Sequence, residues 1–293
     1  HIGKFTGRQV ILGVGNQRVV VREVILPWLE EKDLRQSLPF QVREFVPIPI
    51  EEAILDYQVV EELELDGRHM VRLMLAAAHR GMVQRMVEAV EAARLQAVGV
   101  DLIPFAIVRS AGSNGDRILD ENADLSEEAV VDVGAEVSSI CVHSHGRPRF
   151  VRIVQWGGRG VTSAIAKSLG LPEPDAEKLK RGQDQEADGE AVQRAQEISR
   201  HAMSSFADDL RSSLDFYRSQ NPDARIGRVL MTGGGSKLHG LAEVVKERLS
   251  ADVSTGHPFK RVSVPDDLPP DVMGEAEPLL AVAVGLAMPG GEE

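Results

Sequence analysis

One carboxylate, one glycine and two hydroxyls interrupt an apolar run in the middle of this chain. The stretch is Ala129-Val130-Val131-Asp132-Val133-Gly134-Ala135-Glu136-Val137-Ser138-Ser139, resuming as Ile140-Cys141-Val142. It reads as strand, tight turn, strand. Such a turn can bring backbone N–H groups and a carboxylate up to a metal-bound phosphate. Gly134, lacking a Cβ, allows the close approach, and Asp132 would hold Mg²⁺ directly or through water. Asp-x-Gly hairpins are common and most bind nothing, so the other half of a site must come from elsewhere.

A second stretch offers it. Leu230-Met231-Thr232-Gly233-Gly234-Gly235-Ser236 sets three glycines directly behind an apolar strand and ahead of a helix over 241–249. Packing explains such a run poorly, because glycine loses the most entropy on folding. A loop against which ligand lies, with N–H groups and a helix N-terminus facing phosphate or sugar, explains it better. The competing reading is a mobile connection. Pairing this loop with the Asp132 hairpin makes each more informative than it is alone.

The elements that must position these loops follow from periodicity. Apolar strands at 10–14 and 19–24 flank Gly15-Asn16-Gln17, a hairpin or a short connection. Residues 27–45 are helix-like, with Leu34, Leu38, Val42 and Phe45 on one face and Pro39 expected to kink or end the first segment. Val46-Pro47-Ile48-Pro49-Ile50 must be extended. Alternation at Leu55, Tyr57 and Val59 predicts a strand, 71–78 a second one across Asp66-Gly67, and 81–96 an amphipathic helix. Residues 27–97 therefore form a compact insert between sheet strands.

A helix starts at Pro104, and 112–126 is a polar connection. The Asp132 hairpin continues into 149–154, giving three consecutive antiparallel strands. Helices are expected over 161–169 and 174–181, with an acidic loop at 184–190 between them and the longest helix, 191–219. Val192, Ala195, Ile198, Ala202, Phe206, Leu210 and Leu214 recur along that helix every three or four residues. A proline-rich stretch, 258–278, precedes a final apolar helix over 279–288.

Composition narrows the class. The 293 residues are 43% hydrophobic and 27% charged, as in a folded globular chain, and are enough for two domains. A formal net charge of −12 argues against nucleic acid as the main partner. No apolar run approaches the roughly 18 residues that cross a membrane. The one cysteine, Cys141, has no intramolecular partner, which suits a reducing cytoplasm.

The order of these motifs resembles the actin-like ATPases. It comprises Val-Val-Asp-Val-Gly-Ala-Glu, then Gly157-Gly158 with Thr162, then Asp175-Ala176-Glu177-Lys178-Leu179-Lys180. Thr-Gly-Gly-Gly-Ser follows, and then Leu280 to Ala287. Within that group the chain is most similar to the PilM family, the FtsA-like proteins of type IV pilus assembly. Leu34-Arg35-Gln36 through Phe45-Val46-Pro47-Ile48-Pro49 and Ala53 to Val59 resemble a segment of that family's insert.

The resemblance implies an α/β, two-domain, ribonuclease H-like fold. One actin-like domain would take 1–26, 98–126 and 276–290, and a second 127–157 with 228–275. The insert is 27–97 and a helical subdomain 158–227. It also implies ATP and Mg²⁺ in the cleft between domains. Asp132, Gly134 and Ala135 match the second phosphate loop; Gly233, Gly234, Gly235 and Ser236 match the adenosine loop. Glu177 and Lys180 match a helix that reaches ribose and base, the alternative being a solvated helix face. Gly285 matches a close crossing of two helices.

By the same comparison the first phosphate loop is missing: Gly13-Val14-Gly15 has no Asp, and an upstream segment of roughly fifty residues is expected. His239 stands where the family has Pro and reads as a loop surface residue. Asp101 is the only carboxylate near enough to suggest a general base, and it makes a poor one.

The expected function is an ATP-binding cytoplasmic scaffold, at most a slow ATPase, held at the inner face of the membrane through its partner. Its insert would dock the N-terminal segment of a PilN-like inner-membrane protein near Phe45, Pro47, Pro49 and Tyr57, by an edge strand or a groove. Other pilus assembly proteins would be further partners. Two alternatives remain open. One is a sugar or acetate-type kinase on the same fold, for which no sugar-binding cluster is visible. The other is an FtsA-like filament protein, which would end in an amphipathic membrane helix, whereas this sequence ends Met288-Pro289-Gly290-Gly291-Glu292-Glu293.

Overall fold

The computed structural model describes residues 7–113, 127–184, 188–264 and 270–289. Most of the polar connection after Gly112 and part of the acidic loop before the long helix therefore lie outside the described residues. The chain divides into two units, residues 1–103 with 149–151, and residues 104–148 with 152–293.

The first unit begins with β1 (Gln9–Val14) and β2 (Val19–Pro27). These form no hairpin with each other. β1 pairs in parallel with β5 (Gln96–Leu102), while β2 pairs antiparallel with β4 (Arg68–His79), so Gly15-Asn16-Gln17 is the short connection between two sheets. β3 (Ala53–Leu65) completes a three-stranded sheet in the order β2-β4-β3. The β3–β4 turn is Asp66-Gly67, with φ of 51° and 71°, the left-handed pair that a two-residue hairpin needs.

Helix α1 (Glu31–Gln41) covers this sheet. Leu34, Leu38, Val42 and Val46, four residues apart, pack on Val24, Leu26, Val71, Leu73 and Leu75. The stripe ends on Val46 and not on Phe45, which is 40% exposed. The cause is local: the helix runs only two residues past Pro39, and the turn after it rotates Phe45 outward. α2 (Arg80–Ala92) follows β4 directly and buries Met82 and Val83.

The second unit holds most of α3 (Ile103–Ala111) and a five-stranded sheet in the order β10-β9-β6-β7-β8. Its strands are β6 (Glu127–Val133), β7 (Ser138–Ser144), β8 (Arg147–Val154), β9 (Ile226–Thr232) and β10 (Asp252–Thr255). β6, β7 and β8 run in the predicted sequence. β10, too short and polar to show in the hydropathy, adds in parallel to β9. β6 is central and buried on both faces, as its unbroken apolar run requires. It pairs antiparallel with β7 and parallel with β9, a register that sets Asp132 opposite Thr232.

Glu128, near the other end of β6, is buried and accepts from His143 Nε2 at 3.1 Å and from Ser113 N at 2.7 Å. Burial alone would raise its carboxyl, but these donors hold it below the usual range.

Helices α4 (Gly158–Leu169), α5 (Glu173–Lys180) and α6 (Gly189–Gln220) share one core of Val161, Ile165, Ala176, Leu179 and Ala195. α6 buries Phe206, Ala207, Leu210 and Leu214 farther along. α7 (Leu241–Leu249), α8 (Pro270–Ala276) and α9 (Ala281–Ala287) complete the unit. No described helix is long and apolar enough to cross a membrane.

Candidate functional site

The loops singled out by their glycines meet at the end of β6. Asp132, the penultimate residue of that strand, accepts a hydrogen bond from Thr232 Oγ1 at 3.2 Å. Burial raises its carboxyl above the ordinary range, and Thr232 only partly opposes this. A carboxylate kept largely out of water with one weak neutral donor is a group suited to a cation. Among the described residues no cluster of three or more His, Cys, Asp or Glu could hold a metal. Asp132 would therefore be a single protein ligand, an arrangement that fits Mg²⁺, which keeps several waters and takes other ligands from phosphate.

The hairpin after Asp132 is tight. Gly134 N–H donates to Val137 O at 3.2 Å, and a Cβ on Gly134 would stand 2.6 Å from that oxygen. Ala135 and Glu136 form its exposed tip. The glycine loop lies directly against β6. Gly233 has φ of 81°, and a Cβ there would come within 2.4 Å of Val133 O and 2.7 Å of Asp132 Oδ1. A Cβ on Gly235 would meet Val133 Cγ1 at 2.4 Å. These glycines are therefore required by close approach of two backbones as well as by any ligand. Gly233 N–H is taken by Pro278 O at 2.9 Å, and Ser236 Oγ donates to Gly233 O at 2.7 Å. Gly234 is exposed, with Leu279 Cδ2 2.9 Å from where its Cβ would be. Gly234 is thus the exposed glycine of the three, beside Leu279, on a loop tied down at both ends.

Glu177 and Lys180 sit on α5 and face each other. Glu177 accepts from Thr162 at 2.5 Å, Lys180 at 2.7 Å and Arg181 at 2.6 Å. Burial would raise its carboxyl, but the three donors outweigh it and pull it to about 2. Lys180 also donates to Gly158 O at 3.0 Å. The pair braces α5 to the first turn of α4.

That first turn holds the hairpin. Gly158 N–H donates to Gly134 O at 3.0 Å and Arg159 N–H to Ala135 O at 2.7 Å. A Cβ on Gly157 would collide with Ala135 at 2.4 Å. The Arg159 side chain pairs with Glu136. The roles of Thr232, Gly157 and Arg159 are not visible in the sequence, because each acts across a junction between elements distant in the chain. Only the Asp132↔Thr232 register could have suggested one of them. His239 is exposed, and Asp101 belongs to the other unit, where it accepts from Leu102 N–H.

The first unit carries a separate groove of about 350 Å³ between α1 and the edge strand β3. Leu38, Pro39, Ile50 and Leu55 line it, with Arg35 and Tyr57. The Arg35 guanidinium lies 5.4 Å over the Tyr57 ring. The Tyr57 hydroxyl is buried without a hydrogen-bond partner among the described residues. Of the four expected docking residues Tyr57 lines the groove, while Phe45, Pro47 and Pro49 are exposed outside its lining.

The family described as "Type IV pilus assembly protein PilM" matches residues 3–290. The cell division protein FtsA of Escherichia coli (strain K12) is 26% identical over 273 residues, which cover 84% of this chain and 61% of that protein. FtsA of Rhizobium meliloti (strain 1021) is 26% identical over 238 residues, covering 74% and 50%. The chain thus spans less than two thirds of the length of these curated relatives. A solved chain of the "PilM-PilN type IV pilus biogenesis complex" is similar with a TM-score of 0.82 and 29% identity, covering 97% of this chain and 80% of that one.

Proposed function

The chain belongs to the PilM family of type IV pilus assembly proteins and has their actin-like ATPase fold, and from that premise we propose that it is an ATP-binding scaffold of pilus assembly. The observation that carries the nucleotide half is the seating of the glycine loop against Asp132. The two loops form one main-chain surface with a single desolvated carboxylate at its base. Mg-ATP would supply the charge that this carboxylate lacks. Asp132 would hold the ion; the tip of the hairpin and the Gly234 loop would take phosphate and nucleoside. No described residue near Asp132 is placed as a general base, so binding, with slow turnover at most, is the favoured activity.

The partner half rests on the groove at Tyr57. The similar solved structure is a complex of PilM with PilN. We assign to this chain a PilN-like partner whose N-terminal segment docks in extended form. An apolar floor, an edge strand, one orphaned hydroxyl and the Arg35 guanidinium suit a short peptide with an apolar side chain and a main-chain or carboxylate acceptor. ATP would bias docking through the thermodynamic linkage of the two sites. The protein would act in the cytoplasm, at the membrane only through that partner.

Calorimetric titration of Mg-ATP into the protein and its Asp132→Asn variant tests the first half: binding that is weaker in the variant is expected, and equal affinity overturns the metal role. Fluorescence titration of the partner's N-terminal peptide, with and without Mg-ATP, tests the second. Binding that does not change with nucleotide removes the coupling.

A further inference from the structure

Strand β3 is the edge of its sheet, and its two halves differ. Within the first unit it pairs only with β4, so one side of its backbone has no strand beside it. Near the groove, side chains take up main-chain groups: Arg80 donates to the Ala53 carbonyl at 2.8 Å, and the Asp56 carboxylate accepts from the Tyr57 N–H at 2.9 Å. The register then shifts between Val59 and Glu61. Beyond that bulge, residues 61–65 make no backbone hydrogen bond outside the sheet among the described residues. Glu61, Glu62, Glu64 and Leu65 are exposed. Side chains alternate along this half. Glu62 and Glu64 stand opposite Val71 and His69, on the face that α1 covers farther along, while Leu63 stands opposite Met70 on the other face. His69 Nε2 lies 2.9 Å from the Glu62 carboxylate, and its ring stacks on Trp28 at 5.0 Å, which holds that carboxylate in place. The Glu64 side chain, directly across from His69, has no ion-pair partner among the described residues.

An open edge is a template for another strand, and charge decides which strand. Carboxylates along it repel a second copy of the same edge, because like charges directly opposite destabilise a strand pair. The same carboxylates favour a strand of opposite sign. We propose that residues 61–65 are a docking edge for a basic, extended segment of another protein, in which Lys or Arg alternates with apolar residues. Main-chain hydrogen bonds supply the affinity, as in other strand additions. The cations lie beside Glu62 and Glu64, and the apolar side chains lie beside Leu63 on the opposite face. The bulge and the capped first half of β3 separate this edge from the groove at Tyr57, so it is a second surface with a different ligand chemistry.

Three blocked pentapeptides test this on the ¹⁵N-labelled protein: Lys-Val-Lys-Val-Lys, Glu-Val-Glu-Val-Glu and Lys-Pro-Lys-Pro-Lys. The first should shift the amide resonances of residues 61–65 and slow their hydrogen exchange, and the other two should not. The proline peptide keeps the charge but cannot join a ladder. An equal response to it reduces the contact to charge and overturns strand addition. Glu64→Gln should weaken the first peptide about threefold, the loss of one cross-strand ion pair. The double variant Glu62→Lys with Glu64→Lys should reverse the preference towards the acidic peptide; an unreversed preference overturns the assignment. If the double variant does not fold, Glu64→Gln decides alone, and unchanged affinity there overturns it. Tyr57→Ala should leave binding of the first peptide intact, and a loss there means that it occupies the groove instead. Protection of residues 61–65 that grows with protein concentration in the absence of peptide would make a second copy the occupant and overturn the proposal.

Discussion

Gly285 on α9 crosses Ala106 on α3 so closely that a Cβ on the glycine would fall 1.8 Å from the Ala106 carbonyl oxygen. The contact is locked on both sides: Ser110 Oγ donates to Ala281 O at 2.7 Å and Arg109 Nε to Gly285 O at 3.1 Å. No rotamer change can admit a methyl there, since the obstruction is backbone. Gly285→Ala should destabilise the protein by about 3 kcal/mol, the upper range for overpacking. The midpoint of urea unfolding measures it; a shift below a quarter of that would mean that the helices separate freely.

Asp132 sets stability against binding. Its carboxyl is raised by burial, so the folded chain holds that proton more tightly than the unfolded chain. The sign follows: the contribution to stability is greatest below the ordinary carboxylate range and falls as pH rises through the raised value. Near neutral pH the charged, buried group therefore costs stability. Asp132→Asn should melt a few degrees higher while losing affinity for Mg-ATP, the usual trade at a binding group. Thermal melts at pH 7 and calorimetry on the same samples test both; a lower melting temperature would show that the carboxylate is better solvated than its burial implies.

Glu177 behaves in the opposite sense. Its carboxyl is pulled to about 2, so its stabilising contribution is complete above about pH 4.5 and disappears as pH falls towards 2. The side chain is 32% exposed, and solvent screens its ion pairs, which limits the loss in Glu177→Gln to about 1 kcal/mol at pH 7. Denaturation curves should converge for wild type and variant by about pH 2. A gap that persists into acid would point to packing and not charge.

The orphaned hydroxyl of Tyr57 predicts a split between stability and docking. Tyr57→Phe removes a buried unsatisfied group and should stabilise the free protein by about 1 kcal/mol. If the partner's peptide supplies the missing acceptor, the same change weakens peptide binding about fivefold. Tyr57→Ala, which also removes the ring beneath Arg35, should abolish it. Phe45→Ala separates the surfaces: it lies outside the groove, so an equal loss there means that the peptide extends beyond the α1–β3 edge.

Much of this arrangement was legible in the sequence because local patterns carried it. The apolar run of β6, the turn chemistry of Asp66-Gly67 and the long period of α6 each specify an element from within. The limits were also local in origin. β1 and β2 look like hairpin partners because only four residues separate them, yet each pairs with a strand whose partner residues lie 43 to 88 positions away in the chain. Phe45 looks buried if the helical period is extended past Pro39, where the helix in fact ends two residues later. The candidate site divides the same way. Asp132 and the glycines announce themselves by type, whereas Thr232, Gly157 and the Lys180–Gly158 bond arise from register and helix docking, which no window of sequence contains.

The tip of the hairpin is built almost wholly from main chain, and this shapes what mutation can do to it. Ala135 and Glu136 present main-chain groups to their surroundings and leave their side chains exposed, that of Glu136 in a surface ion pair with Arg159. Substitution at those two positions should be broadly tolerated, while Gly134, Gly157, Gly233 and Gly235 admit nothing larger. A deep mutational scan would thus show an inverted landscape. The residues at the tip would look neutral, and the intolerant positions would form a ring of glycines around them.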